Sequence, residues 1–169
     1  MRAQDLLRTQ FEHAHDVIEQ VIDDCSEETL TTVVDGTIGS ISAIYAHAVF
    51  DEDGWIARPA KRETLWDRDQ WAEKTGLQMP GPMQTEEWAR SGPSYDLARF
   101  RDYARAVYAA TDEYLVSVSD DALSAEVSAA GGTMTVAKWV GAVGLWHLMS
   151  HQGEISALKG VQGLKGLPY

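Results

Sequence analysis

Apolar residues recur at steps of three and four along much of this chain, and that spacing is the period of an amphipathic α-helix. The first such stretch covers residues 4 to 24, where Leu7 and Ile18 fall on one face. The same period returns from about residue 37 to 53, and again from residue 94 or 96 to about 118. Each of these stretches is predicted to be a long helix.

A fourth helical stretch, residues 135 to 159, is apolar around its whole circumference and has few charged residues. A helix of this kind is buried on most sides. Residues 119 to 134, which precede it, are polar and end in two glycines, so they are predicted to form a turn or a short hairpin. Thr133 or Thr135 can then cap the fourth helix.

A long crossover, residues 54 to 94, separates the second and third helices and contains most of the tryptophans and prolines of the chain. Short helices are predicted at Thr64–Lys74, ended by Gly76, and at Thr85–Arg90, with Thr85 as the cap. So many tryptophans are unsuited to a free linker. The crossover is therefore expected to pack across the helices and to roof a pocket.

The four long helices predict an all-α fold, a four-helix bundle. The short gap between the first two makes them antiparallel, and the long crossover lets the third run parallel to the second. The predicted order of directions is up, down, down, up. With 169 residues and 44% hydrophobic content, the chain is long enough for a substantial core, and residues 1–169 are predicted to be a single domain.

The chain carries 26 acidic and 14 basic side chains, which give a formal net charge of −12. Phosphate backbones and anionic membrane surfaces would be repelled, so neither nucleic acid nor a membrane is an expected partner. The only cysteine, Cys25, rules out an intramolecular disulfide and is interpreted as a small buried hydrophobe. The N-terminus lacks the apolar core of a signal peptide, which predicts a cytoplasmic protein.

The residues of the fourth helix that indicate chemistry are His147, His151 and Glu154, because steps of four and three residues place them on one face. An unpaired buried polar group costs about 1–3 kcal/mol, and a metal ion is one partner that would satisfy both imidazoles. His47 in the second helix would complete a three-imidazole site if it faces this pair. Asp51, one turn further, would orient His47 or lie at a solvated helix end. The alternative is that these histidines are hydrogen-bonded residues of the core.

Other catalytic patterns fit the sequence less well. Glu12 and His15 have the E-x-x-H spacing of di-iron carboxylate bundles, but the chain lacks a second such pair, so His13 and His15 are interpreted as ordinary helix residues. A zincin helix needs glutamate after its first histidine, and here that residue is Leu148. No G-x-S-x-G elbow is present for a serine hydrolase.

Residues 147–155, HLMSHQGEI, resemble the last helix of the DinB-like superfamily, whose pattern is H-x-x-x-H-x-G-[QE]-I. Residues 39–47, GSISAIYAH, resemble its second helix, which ends in the first metal histidine. The resemblance covers nearly the whole chain, including the helix order. It implies an up-down-down-up bundle, often dimeric, in which His47, His147 and His151 bind a divalent metal, commonly zinc or nickel.

The DinB-like superfamily includes mycothiol-dependent maleylpyruvate isomerase and bacillithiol transferases, in which the metal activates a cofactor thiol. The resemblance therefore implies a metal-dependent S-transferase or isomerase that acts on a small molecule with a thiol of the mycothiol, bacillithiol or glutathione type. Glu154 is the candidate catalytic residue, as a base or as an acceptor for a metal-binding histidine, or it contacts only Gln152 or solvent. The alternative is a non-catalytic, metal-stabilised binding or stress-response protein, so whether the chain is an enzyme stays open.

A second stripe on the fourth helix lies roughly a hundred degrees from the histidine face and mixes large and small residues. Its members are Trp139, Val143, Trp146, Ser150, Gly153 and Ala157. Because the helix lacks a polar side, the stripe favours a twofold interface, and a homodimer is predicted. The alternative is that the stripe belongs to the core of its own chain.

Overall fold

A computed structural model of the chain describes residues 2–37, 39–79, 85–129 and 131–169. Its elements follow one another in the order α1 (Ala3–Asp23), α2 (Glu27–Thr31), α3 (Ile41–Ala60), α4 (Leu65–Arg68), α5 (Trp71–Thr75), α6 (Glu86–Arg90), α7 (Leu97–Ser117), α8 (Asp120–Ser124), β1 (Glu126–Ala129), β2 (Gly132–Thr135), α9 (Val136–Lys138), a π-helical segment (Trp139–Leu145) and α10 (Trp146–Val161). Since α9, the π-helical segment and α10 are continuous, they form one long helical rod beside α1, α3 and α7.

Hydrogen bonds between the long helices establish their directions. Gln4 Nε2 donates to Val118 O and Arg101 Nη1 to Asp23, so α1 and α7 are antiparallel. Tyr95 OH donates to Ser42 O and Thr111 Oγ1 to Glu52, so α3 and α7 are parallel. Gln152 Nε2 donates to Ala14 O and Lys159 Nζ to Val21 O, so α1 and α10 are parallel. The predicted all-α bundle with the order up, down, down, up is confirmed.

The core lies between the four long rods, and aromatic rings fill its end nearest the start of α7. Phe100 packs against Tyr45 of α3 and Tyr103 of α7, with ring centroids 5.2 and 5.5 Å apart. All three side chains are inaccessible to solvent. The hydroxyl of Tyr45 donates to Glu19 of α1 at 2.5 Å, so its one polar group is satisfied where burial would otherwise be costly.

Helix α3 extends further than its sequence pattern predicted, from Ile41 to Ala60 instead of from about residue 37 to 53. The side chain of Ser40 caps its first turn. Pro59 lies in the last turn and has no N–H to donate to the carbonyl of Trp55. That carbonyl instead accepts a hydrogen bond of 2.9 Å from the indole of Trp139, which ties the end of α3 to the fourth rod.

The crossover packs against the bundle, as expected from its tryptophans. The predicted helix Thr64–Lys74 is divided into α4 and α5, because Gln70 adopts a left-handed backbone conformation with φ of 55°. Thr85 caps α6 as predicted. Helix α6 approaches α3 so closely that a Cβ on Gly39 would lie 2.8 Å from the Cβ of Ala89, so glycine is required at position 39.

A buried carboxylate, Asp53, holds the crossover in place. It accepts hydrogen bonds from the backbone N–H of Trp66, from the hydroxyl of Tyr103 and from the guanidinium of Arg62. Burial raises the pKa of Asp53, while these three donors favour its charged form. Asp53 therefore fixes the position of Trp66, which lines a cavity next to Asp51.

Strands β1 and β2 pair antiparallel, with Glu126 opposite Thr135, which confirms the short hairpin that the two glycines suggested. Thr135 then caps the fourth rod. No helix in the described part of the chain is long and apolar enough to cross a membrane. The cytoplasmic location stays a prediction.

The predicted stripe on the fourth rod is divided by the structure. Trp139 is buried within its own chain, where it contacts Trp55 and lies under the guanidinium of Arg58. Trp146 and Met149, in contrast, are 68% and 53% exposed. The exposed part of the stripe therefore lies on α10, C-terminal to the π-helical segment.

Candidate metal centre

Three histidines from two antiparallel helices converge between α3 and α10. His47 lies in the N-terminal half of α3, and His147 and His151 occupy successive turns at the start of α10. The π-helical segment ends just before this pair, and wider π turns are often found next to functional sites. The structure thus brings together side chains that are a hundred positions apart in the sequence, as predicted.

The Nε2 atoms of the three rings meet at one point. Nε2 of His147 lies 3.0 Å from Nε2 of His47 and 3.0 Å from Nε2 of His151. The ring planes are inclined to one another by 67°, 79° and 84°, so each ring enters from a different direction. Within the described residues, this is the group of histidine, cysteine and acidic side chains whose ligand atoms are close enough to share a metal ion.

Hydrogen bonds alone do not satisfy this arrangement, whereas a cation does. Oε2 of Glu154 lies 2.6 Å from Nδ1 of His151. Because a carboxylate accepts, Nδ1 carries the proton and Nε2 of His151 presents its lone pair. His147 Nε2 can donate to one neighbouring ring or accept from one, but it cannot do both. A divalent ion at the meeting point would be bonded by all three lone pairs.

The surroundings of His147 and His151 disfavour the charged form of both rings. Burial, together with the nearby imidazoles of His151 and His47, lowers the pKa of His147 from 6.5 to about 3. Burial also lowers the pKa of His151, although the contact with Glu154 acts in the opposite direction. Neutral imidazole is the form that binds a metal. The residues present therefore fit a divalent transition-metal ion.

Two carboxylates lie next to the triad. Glu154 contacts the Nδ1 side of His151, so it orients that ring, and its predicted role as a catalytic base stays a prediction. Oδ2 of Asp51 is 3.7 Å from Nδ1 of His47 and 3.7 Å from Nε2 of His147. Asp51 is thus close to two of the three rings, and it does not lie at the end of α3, which continues to Ala60.

The Nδ1 atom of His147 is buried and has no hydrogen-bond acceptor in the described part of the chain. Instead, the ring stands edge-on to the indole of Trp55, with centroids 4.3 Å apart. Packing against Trp55 therefore holds the ring of His147 in its orientation, whereas the hydrogen bond to Glu154 holds the ring of His151.

The other histidine candidates lie elsewhere. His13 is exposed, and Glu12 is exposed beside it, so the E-x-x-H spacing does not form a metal site. Nε2 of His15 lies 2.9 Å from Glu52, which also accepts from the hydroxyl of Thr111 at 2.6 Å. Sequence reasoning missed Glu52, whose only signal was an acidic residue on the inward face of a longer α3.

Cys25 is partly buried at the end of α1, and its Sγ lies 3.6 Å from the carbonyl of Val21. Burial raises the pKa of its thiol. A raised pKa leaves less of the thiol deprotonated than in an ordinary cysteine, which favours the interpretation as a small hydrophobe.

Two cavities adjoin the centre. A mostly apolar cavity of about 280 Å³ is lined by His47 and His151, and by Trp88 and Ala89 of α6. A second cavity of about 450 Å³ includes Asp51 in its wall. Each is large enough for part of a small molecule. The first has two of the three histidines in its wall, and the second has Asp51 and Trp55, both of which lie next to His147.

The fold is shared with a protein of known crystal structure, described as the conserved protein of a locus from Enterococcus faecalis. The two chains superimpose with a TM-score of 0.84 at 20% sequence identity, and the match covers 96% of this chain and 99% of the other. At that identity the likeness establishes the fold alone. No curated protein matches the chain. A family model of the DinB superfamily, however, matches residues 10–155, a range that includes all three histidines, and the chain therefore belongs to the DinB superfamily.

Proposed function

We propose that this protein is a divalent-metal-dependent enzyme that transfers or isomerises a small molecule with the help of a low-molecular-weight thiol. The observation that carries the proposal is the convergence of three imidazole Nε2 atoms beside two cavities. Zinc or nickel is the expected ion, since both accept imidazole ligands. A thiol cofactor is proposed because some DinB-like proteins use mycothiol or bacillithiol. A thiol of the glutathione type is the third candidate.

A divalent ion held by three neutral ligands keeps its full charge and an open position, and it lowers the pKa of a thiol or water bound there. The side chains of this protein orient the ligating histidines. Glu154 holds His151 in the required tautomer, and Trp55 holds His147. The apolar cavity beside His47 and His151 would shield that side of the site from bulk water and would hold a reacting group next to these two imidazoles.

A homodimer is part of this proposal. Trp146 and Met149 project from α10 into solvent, and Gly153 and Ala157 lie exposed further along the same helix. Large anchors beside small residues suit the close approach of a second helix. The twofold partner would therefore cover the outer face of the helix that also carries two of the proposed ligands.

The proposal is tested by two measurements on protein purified without a metal-affinity tag. Elemental analysis should find one zinc or nickel ion per chain, and the loaded protein should consume mycothiol, bacillithiol or glutathione in the presence of an electrophile. His47→Ala should lose the metal and the activity with its helix content intact, whereas His13→Ala, which alters an exposed histidine, should lose neither. Protein that holds no metal and consumes none of the thiols would contradict the proposal.

The second candidate function is a non-catalytic binding or stress-response protein, which the tryptophan-rich crossover favours. It predicts that a ligand of the crossover binds equally well to the wild type and to His147→Ala. Loss of that ligand from a correctly folded His147→Ala variant would argue for the enzyme.

A further inference from the structure

The cavity of about 450 Å³ next to the metal centre has walls of an unusual kind. Three aromatic residues, Phe50, Trp55 and Trp66, surround it, and two carboxylates, Asp51 and Asp67, lie among them. No lysine or arginine belongs to the described residues that line it. Electron-rich ring faces and carboxylates both attract positive charge, and the best-known ligands of such walls are organic ammonium ions.

The aromatic walls are held rigidly. Trp66 stands at 80° to Phe50 with ring centroids 5.6 Å apart, and its backbone N–H is bound by the buried carboxylate of Asp53. Trp55 contacts both His147 and Trp139. A binding site whose rings are already in place loses little side-chain entropy when a ligand enters.

Glycine is present where this cavity meets α3. Gly54 lines the cavity, and a Cβ added there would meet no other atom within 4 Å. Glycine inside a helix costs roughly 0.5–1 kcal/mol relative to alanine, and neither a close approach nor a positive φ requires it at this position. Glycine at position 54 thus lowers helix stability and leaves space in the cavity. A ligand that occupies this space would explain why glycine is present there.

Asp51 links this cavity to the triad. Its carboxylate lines the cavity and lies 3.7 Å from Nε2 of His147. A negative group in this position reduces the repulsion between a positive ligand in the cavity and a metal ion at the triad. An anionic ligand would meet two carboxylates without a compensating cation from the lining residues.

From the cavity, its rings, its carboxylates and Gly54, we propose that the second substrate of the enzyme is a small organic cation, an amine or quaternary ammonium compound, bound in this cavity beside the metal centre. The assignment of a substrate rests on the proposed function, but the binding of the cation does not.

Three molecules of nearly the same shape test the proposal: choline, its neutral isostere 3,3-dimethyl-1-butanol, and the anion 3,3-dimethylbutanoate. Binding is measured by tryptophan fluorescence and by calorimetry at constant ionic strength, on both metal-free and zinc-loaded protein. Choline should bind at least about tenfold more tightly than the alcohol, and the carboxylate should bind least. Equal binding of the cation and the alcohol, or tighter binding of the anion, would overturn the proposal.

Matched variants locate the site. Gly54→Leu should fill the cavity and abolish choline binding, while elemental analysis shows that the metal is retained. Asp67→Asn should weaken choline binding severalfold, whereas Asp69→Asn, which makes the same change in net charge at a carboxylate paired with Arg68, should not. If Gly54→Leu binds choline normally, the proposed site is wrong.

The outcome is separable from that of the proposed function. Protein that loads metal and consumes thiol but does not bind choline would refute this inference alone. Protein that binds choline in the cavity but holds no metal would refute the proposed function and leave the organic-cation site standing.

Discussion

At the scale of single residues, the site depends on how each imidazole is oriented. Sequence spacing predicted that His147 and His151 share a face, because i, i+4 residues on a helix always do. The contact of His151 with Glu154 follows from the same spacing, so it too was within reach of the sequence. The contacts of Asp51 with His147 and of Glu52 with His15 could not be predicted from the sequence, because both depend on the distance and rotation between different helices.

Removing the acceptor of His151 should weaken metal binding. Glu154→Ala is expected to lower the affinity for zinc about 10- to 100-fold, the usual effect of losing a carboxylate that orients a ligating histidine. Glu154→Gln should lose less, because an amide oxygen can still accept from Nδ1. Titration against a chelator measures the affinities, with Glu12→Ala, an exposed helical glutamate three residues from His15, as the control. Equal affinities for Glu154→Ala and the wild type would show that the contact is incidental.

His147 should stay neutral in the metal-free protein well below the pH at which an ordinary histidine is protonated. Its pKa is lowered from 6.5 to about 3, so between these values the unfolded chain binds more protons at this residue than the folded chain does. The corresponding contribution to stability is complete above pH 6.5 and is lost as the pH falls toward 3. Imidazole nitrogen shifts in an NMR titration measure this directly, and a midpoint near 6.5 for His147 would be inconsistent with the geometry.

At the scale of elements, the pattern of apolar residues located every long helix but misjudged the ends of α3. A polar run, Asp51-Glu52-Asp53, and the following glycine look like the end of a helix in sequence. In the structure Glu52 and Asp53 are buried and bonded by partners from other helices, which turns the same residues into internal contacts. The π-helical segment, Trp139–Leu145, was also not predicted from the sequence.

The pair formed by His15 and Glu52 joins α1, α3 and, through Thr111, α7. Glu52→Ala leaves the other two polar groups buried without their acceptor, and it should lower the free energy of unfolding by about 3–5 kcal/mol. Urea denaturation at neutral pH measures the change. As a control, Asp112→Ala removes the exposed partner of Arg8 and should have little effect. A similarly small effect for Glu52→Ala would mean that the buried network does not stabilise the bundle.

At the scale of the whole molecule, the helix order and the meeting of His47 with the other two histidines were predictable, and the cavities were not. Helix count, loop lengths and the resemblance to DinB-like proteins together define the bundle. The cavities depend on how α4 and α6 of the crossover dock, which is governed by Gly39 and Asp53 and has no periodic signature. The sequence also did not show which part of the stripe is exposed, because the burial of Trp139 depends on its contact with Trp55 of α3.

The homodimer is tested on that face. Trp146→Glu introduces a charge at the centre of the proposed interface and should convert a dimer into a monomer, as measured by light scattering after gel filtration. The control is Val116→Glu, which places the same charge on an exposed valine of α7. A wild-type protein that is monomeric at all concentrations, or a Trp146→Glu variant that is still dimeric, would contradict the assignment of this interface.

The central claim is that three imidazoles from two helices hold one divalent ion, and X-ray absorption at the metal edge of the loaded protein tests it most directly. We expect one ion per chain with three nitrogen ligands at about 2.0–2.1 Å, and a loss of that signal in His47→Ala but not in His13→Ala. A spectrum dominated by oxygen ligands, or one that His47→Ala leaves unchanged, would contradict the account.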